Sequence, residues 1–320
     1  MKNTTNIANA KNMTTILEIV NSCVRETSRI TSYEHIGNHT FTDEIIHQVI
    51  KKVKDAVNTG TLRTDDLTFK IWYYGNDGNA KLRNIAYTGG HPELDCCLDG
   101  FGGNCSSCTG KKSLLHTGKK TPGTGWCYVY NGRGYRSFGK TIPMIVNSVL
   151  LYLDPKRAES QILDWLKNNA SKITKDLRGN KHFRIDETGD IKYCLDIWER
   201  VADAYPDITF YGYTKQFEFL EKYSKEHGIV HKNHPNLIIR LSNSTADDPN
   251  PPTQYLLDNY CSYGINFKQE DKTPQIILDI ANSVAAKKAK CPGTKVGCHS
   301  CGKCMNLPGK GFDHLYADQI

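Results

Sequence analysis

Ile208-Thr209-Phe210-Tyr211-Gly212-Tyr213-Thr214-Lys215-Gln216-Phe217-Glu218-Phe219-Leu220 joins two kinds of local structure. Ile208 to Tyr213 is dense in β-branched and aromatic side chains, which suit a pleated, buried surface, so it reads as a strand. Gln216 to His227 reads as a helix, and Leu237 to Leu241 as the next strand. Strand, helix and strand in succession make a βαβ unit, which places its two strands parallel in one sheet.

The same alternation extends in both directions. Upstream, Lys181 to Ile185 reads as a strand, followed by the polar loop Asp186-Glu187-Thr188-Gly189-Asp190. A helix then carries Cys194, Leu195, Trp198, Val201, Ala202 and Tyr205 on one side. Before that strand, Ile142 to Leu153 reads as a helix, and Asp154-Pro155 opens another that carries Ala158, Ile162, Trp165 and Leu166. Downstream, Ile265 to Phe267 reads as a short strand and Thr273 to Lys288 as a helix. Phe69 to Tyr74 and Lys81 to Thr88 are expected to pair as a hairpin about Gly75-Asn76-Asp77-Gly78. Two amphipathic helices, Met13 to Val24 and Asp43 to Val57 with Thr42 as N-cap, precede it.

The expected fold class is therefore α/β: a βα-repeat parallel sheet or a partial (β/α) barrel. A helical N-terminal segment, residues 1–65, precedes the α/β core at 66–288, and a cysteine-rich metal-binding tail follows at 289–320. Ligands of such sheets sit at the carboxyl ends of the strands. Arg184, Asp186, Asp190 and Lys215 fall there and are the candidate ligand- or cofactor-binding residues. Asp186 and Asp190 could instead cap the helix that follows them, and capping is the favoured role for Asp190. Tyr213 and Trp126 have faces that could stack a base or an adenine, although aromatics more often fill cores.

Nine of the twelve cysteines lie in two windows. The first holds Cys96, Cys97, Cys105, Cys108 and Cys127, with Lys111, Lys112, Lys119 and Lys120 among them; the second holds Cys291, Cys298, Cys301 and Cys304. Thiolate is a soft, strong metal ligand, and two-residue gaps let successive sulfurs of one tight turn reach one centre. Cys97, Cys105, Cys108 and Cys127 form one candidate ligand set, and Cys291, Cys298, Cys301 and Cys304 a second. The overlapping Cys-x2-Cys turns of the second set resemble ferredoxin loops, so an iron–sulfur cluster is one reading and zinc the other. In a third arrangement Cys105 and Cys108 share one zinc with Cys301 and Cys304. Cys23, Cys194 and Cys261 read as isolated buried thiols; His299 could be a zinc ligand, but a turn residue facing solvent is the favoured reading. His231-x2-His234 is a weak metal pair on a loop, because Pro235 disfavours helix there. Thr109-Gly110-Lys111-Lys112 and Thr117-Gly118-Lys119-Lys120 lack the remaining positions of a phosphate loop and are set aside.

The formal charge of +7 permits contact with nucleic acid or another anion without requiring it. No apolar run of membrane-spanning length occurs, so no membrane partner is expected. Met1 to Asn12 is polar and lacks the apolar core of a secretion signal. Clustered cysteines without such a signal point to a reducing, cytoplasmic setting and to metal before disulfides.

Several stretches together resemble the gene product 88 family of phage and mobile-element proteins. They are Gly78-Asn79-Ala80-Lys81-Leu82; Cys127-Tyr128 with Gly132-Arg133-Gly134-Tyr135; Arg184 to Asp190; Pro206 with Phe210-Tyr211-Gly212-Tyr213-Thr214-Lys215; and the closing Cys291-Pro292, Cys298, Cys301 and Cys304. The likeness runs from about Asp77 to Asn306, and its layout is distantly similar to radical S-adenosylmethionine enzymes. The resemblance implies one or two iron–sulfur clusters and S-adenosylmethionine (SAM) as co-substrate, with three cysteines of the first window leaving one iron open. It implies no substrate. Two function classes follow. One is an iron–sulfur, SAM-dependent radical enzyme acting on an unknown small molecule. The other is a non-catalytic, zinc-stabilised protein that binds nucleic acid or a host partner.

Overall fold

A computed structural model describes residues 15–28, 43–65, 67–73, 82–91, 94, 138–192, 194–243, 252–266, 297–305 and 314–318. Two N-terminal helices, α1 (Ile16–Ser28) and α2 (Asp43–Asn58), pack on each other. Strands β1 (Trp72–Tyr73) and β2 (Ala86–Tyr87) follow, then α3 (Phe138–Leu153) and α4 (Pro155–Asn169). The repeat continues through β3 (Lys181–Arg184), α5 (Leu195–Ala204), β4 (Ile208–Thr214), α6 (Phe217–His227), the short α7 (Val230–Asn233) and β5 (Leu237–Asn243). It closes with α8 (Gln254–Asn259), β6 (Cys261–Asn266), the one-turn α9 (Cys298–Cys301) and β7 (His314–Asp318).

Asp154 caps α4 as its sequence position requires: its Oδ1 accepts from the Arg157 amide at 3.2 Å, and Pro155 sits where no amide is needed.

The strands form one sheet in the order β1-β2-β3-β4-β5-β6-β7. Only β1 and β2 are antiparallel, with Trp72 opposite Tyr87; every later pairing is parallel. The sheet is therefore mixed and mostly parallel, as the βα repeat implies. It is open, with β1 and β7 as its edges, and does not close into a barrel among the described residues. Each parallel strand is added beside its predecessor in the same direction. Crossovers of one hand, right-handed as a rule, would carry the connecting helices to one face of the sheet.

Side-chain alternation bears this out. Ala86, Phe183, Phe210, Leu237, Ile239 and Leu241 point to the helix side and join the main core. Phe183, Trp198 and Phe210 meet there with ring centroids 5.4–5.9 Å apart. Val20, Cys23, Val49 and Val53 of the N-terminal helices belong to the same continuous core. Ile85, Tyr211 and Ile238 point the other way, to what we call the inner face. Gly212 keeps β4 close to β3, since a Cβ there would lie 3.2 Å from that of Ile185.

The structure differs from the sequence reading at several places: the return strand expected over Lys81 to Thr88 is confined to Ala86–Tyr87, after a turn at 82–84, and the helix expected from Ile142 already starts at Phe138. β6 starts at Cys261, before Ile265, because Cys261 and Ser262 already pair with Arg240 and Leu241. β7 gives too short a hydrophobic signal to be read alone and exists by pairing with β6. Thr42, the Gly75–Gly78 turn, the end of the strand at Phe267 and the Thr273–Lys288 helix lie outside the described residues. Among the described residues no helix is long and apolar enough to cross a membrane.

Candidate metal and ligand site on the inner face

The second cysteine window folds into a compact double turn. Gly297 (φ 74°) and Gly302 (φ 63°) bracket α9, both in the left-handed region that glycine enters without strain. The Cys301 amide donates to the Gly297 carbonyl at 3.1 Å and the Gly302 amide to Cys298 at 2.9 Å. A 3-10 turn, Lys303–Met305, follows at once. A Cβ on Gly302 would approach the Arg178 guanidinium at 3.2 Å.

This double turn lies on the inner face. Met305 packs with Ile85, Tyr211 and Ile238, and Cys298 and Cys304 border the same cluster. Arg240, at the middle of β5 and 0% exposed, fixes its end. Its Nε donates to the Cys304 carbonyl at 2.8 Å and its Nη2 to the Lys303 carbonyl at 3.1 Å. The loop before β3 grips the other end: Arg178 Nη2 donates to the Cys301 carbonyl at 3.2 Å, and His299 Nε2 to the Thr174 carbonyl at 3.2 Å. The His299 ring also meets the buried His182 edge-on, and His182 Nε2 donates to Asp176 at 2.9 Å. Burial pulls the His182 pKa below the usual range against the opposing pull of Asp176. These anchors place the cysteine turn over the amino-terminal half of the inner face.

The carboxyl edge holds a different set of groups. Beyond β2 and β3 the backbone pairing continues: Glu187 N donates to Thr88 O at 2.8 Å, and Gly90 N to Thr188 O at 2.7 Å. Gly89 is required in this pairing, because a Cβ would meet Thr188 Oγ1 at 3.0 Å. Asp186 begins the turn with φ 47°, a conformation costly for most side chains. Its carboxylate is buried, accepts from Thr88 Oγ1 at 3.0 Å and has Cys194 Sγ 4.0 Å away. Burial, reinforced by Asp190, raises its pKa to about 7 against the opposing effects of Thr88 and Arg184. Asp190 is also pushed upward by burial. It accepts from Thr214 Oγ1 at 2.6 Å, Ile191 N at 2.8 Å and Lys215 N at 2.9 Å. Lys215 Nζ donates to the Ser242 carbonyl at 3.1 Å.

Arg184 and Tyr211 link the two halves. The Arg184 guanidinium lies 4.0 Å from the Tyr213 ring centroid and 5.5 Å from that of Tyr211, a cation–π stack across neighbouring strands. Tyr211 is 0% exposed, and its hydroxyl has no hydrogen-bond partner in this structure. Arg184, beside the ring, favours the phenolate. Burial and the neighbouring Cys298 thiol push the Tyr211 pKa well above the ordinary range.

Arg184, Asp186, Asp190 and Lys215 are thus gathered at the carboxyl ends of β3 and β4. Asp190 does not cap the following helix: α5 begins at Leu195 with Cys194 at its cap, and Asp190 instead ties its loop to the end of β4. Tyr213 stacks on Arg184. His299 faces Thr174 rather than solvent, because the turn is pressed against the loop before β3. His231 lies on the short helix α7, which ends before Pro235. Its ring meets Tyr260, while His234 Nδ1 pairs with Asp203 at 2.7 Å, so the two do not act together. Cys23, Cys194 and Cys261 are buried. Among the described residues, no three His, Cys, Asp or Glu side chains stand together in a geometry that could hold a metal. Cys97, Cys105, Cys108, Cys127 and Cys291 lie outside the described residues, as do Trp126 and the four lysines of the first window.

Sequence reasoning missed Arg240, Arg178 and Tyr211. Arg240 did carry a signal, since a charge inside the apolar run Leu237-Ile238-Ile239-Arg240-Leu241 must have a buried partner.

No curated protein and no solved structure matches the chain. One family model does, that of gene product 88, over residues 75–307. It takes in both cysteine windows and every strand from β2 to β6, and the chain belongs to the gene product 88 family.

Proposed function

We propose that this is a metal-binding α/β protein whose C-terminal cysteine turn carries an iron–sulfur cluster on the inner face of the sheet. Cys298, Cys301 and Cys304 would supply three thiolates and Cys291 the fourth. The observation that carries this reading is the buried Tyr211 hydroxyl, left without a partner beside Cys298 and Cys304. A buried, unpaired donor is costly, and metal-bound sulfur is an acceptor that would relieve it. The fixed backbone supports the same reading, because Arg240 and Arg178 hold the turn by its carbonyls and not by its thiols. Three separate thiols are no obstacle, since metal binding itself draws ligands together and releases their protons.

An iron–sulfur cluster supplies one-electron transfer. Around it, Arg184 and Lys215 would place positive charge near an entering small molecule, and Asp186 would hold a proton near neutrality. A cluster over the amino-terminal half of the sheet suits an auxiliary role, since ligands of parallel sheets enter at the carboxyl edge. SAM chemistry would belong to the first cysteine window. Formation of 5′-deoxyadenosine from SAM under reduction is its test.

Zinc is the second reading, because a one-turn Cys-x2-Cys closed by a left-handed glycine also suits a tetrahedral thiolate site. Protein purified without oxygen is expected to be brown, with visible charge-transfer absorption and bound iron and sulfide. A colourless, zinc-loaded, iron-free protein would contradict the iron–sulfur assignment.

A further inference from the structure

The turn that follows β3 contains two buried carboxyls held in different ways. Asp190 accepts from the Thr214 hydroxyl and from the amides of Ile191 and Lys215, the several donors that a buried carboxylate needs. Asp186, 5% exposed, has one good donor, the Thr88 hydroxyl at 3.0 Å from Oδ1. The same hydroxyl accepts from the Asp186 amide at 3.0 Å. Among the described residues, Oδ2 meets only the Cys194 thiol, 4.0 Å away, and that sulfur also lies 3.6 Å from the Ile191 carbonyl. With the single thiol proton directed to Ile191, sulfur offers Oδ2 a lone pair, so the surroundings of Asp186 suit a protonated carboxyl. The charged groups that face it are Arg184 from β3, which favours ionisation, and Asp190 from the turn, which opposes it. From β2 the uncharged Thr88 faces it. Lys215, at the end of β4, is directed to Asp190 and Ser242, and Lys140 of α3 pairs with Glu187 at 3.1 Å.

We propose that this turn is a pH-operated gate at the carboxyl edge of the sheet: with Asp186 neutral it stays closed on β2, and with Asp186 ionised it lifts off β2 while Asp190 keeps it hinged to β4. Closed, it is joined to the end of β2 by Glu187 N to Thr88 O, by Gly90 N to Thr188 O, and by Thr188 Oγ1 to the Gly90 carbonyl at 2.9 Å. An ionised Asp186 left in place is a buried charge with a single good donor, which is costly. Lifting carries the carboxylate into water and releases the backbone from φ 47°. It also uncovers the β2–β3 end of the carboxyl edge, beside Arg184. In the closed turn burial raises the Asp186 pKa from 3.8 to about 7, and in the open turn it returns toward 3.8. Opening is therefore favoured progressively as pH rises from about 4 to about 7, and gains nothing further above that. No metal takes part, so the gate stands or falls separately from the cysteine turn.

The test is hydrogen exchange of the full-length protein across pH, corrected for the intrinsic pH dependence of amide exchange, beside Asp186→Asn. In the parent, protection of the Glu187 and Gly90 amides is expected to fall by up to about tenfold per pH unit between about pH 4 and 7 and then level off. Peptides covering β4 are expected to keep their protection better than the turn does. The variant, which cannot ionise, is expected to hold the turn equally at every pH. Flat protection of the turn in the parent overturns the gate, and this outcome is decisive even if the variant does not fold. A variant that follows the parent's profile assigns the effect to another group and overturns it too. Loss of protection in β4 as large as in the turn means opening of the whole domain, which also contradicts a local gate.

Discussion

Replacing Arg240 with methionine is expected to free the cysteine turn from the sheet while the α/β core stays folded. Arg240 is fully buried and holds the carbonyls of Lys303 and Cys304 from the middle of β5. Methionine fills much of its volume but donates nothing. Each carbonyl left unpaired in place costs about 1–3 kcal/mol. The double turn can avoid that cost only by lifting into water, which gives up the packing of Met305 on Ile85, Tyr211 and Ile238. Hydrogen exchange read by mass spectrometry separates the two regions. Peptides covering residues 297–305 should lose protection, because the amides of Cys301, Gly302 and Met305 are held only within the turn. Peptides covering β4 should not change. Unaltered exchange at 297–305 would mean that Arg240 does not anchor the turn.

Asp186→Asn is expected to stabilise the protein above neutral pH. The buried carboxyl has its pKa raised from 3.8 to about 7, first by burial and then by Asp190. The folded state therefore holds this proton more tightly than the unfolded chain. The group's contribution to stability is fully present below pH ~4 and is lost as pH rises through about 7. At 1.36 kcal/mol per pH unit, the full span corresponds to roughly 4 kcal/mol, an upper figure for a buried, interacting carboxyl. Asparagine keeps the acceptor for Thr88 and tolerates φ 47° better than almost any other residue. Guanidinium unfolding of parent and variant at pH 4 and pH 8 should show a small difference at the lower pH and a marked gain for the variant at the higher. A variant less stable at pH 8 would show that the ionised carboxylate is a stabilising partner. A strained, buried acid whose removal stabilises the fold is the pattern expected of a functional group, since such sites hold unfavourable arrangements for use.

Much of the sheet was legible in sequence because its signals are local. The aromatic and β-branched run of β4, the Asp154-Pro155 start of α4 and the helix after Gln216 each carry their own period or cap. Parallel order followed from alternation. What alternation cannot give is where the crossovers end, so the open sheet and its outermost strand β7 emerged only from pairing. Arg184, Asp186, Asp190 and Lys215 were readable because loops at strand carboxyl ends are known ligand positions. The roles within that group were not, because Asp190 bonds to Thr214 and Lys215 at the end of β4, 24 and 25 residues further along the chain. The cysteine turn was visible from spacing alone. Its seat was not: Arg240 and Arg178 hold it from 63 to 123 residues away, with Tyr211 between them in the chain, too far for any local pattern to connect.

Metal content of the anaerobically purified chain, measured beside Cys298→Ser/Cys301→Ser/Cys304→Ser, tests the metal centre most directly. The parent is expected to hold iron with sulfide, and the triple variant to lose the share of metal that the turn carries while keeping its helical signal. Equal metal in the two proteins, or none in the parent, would contradict a metal centre at the C-terminal cysteine turn.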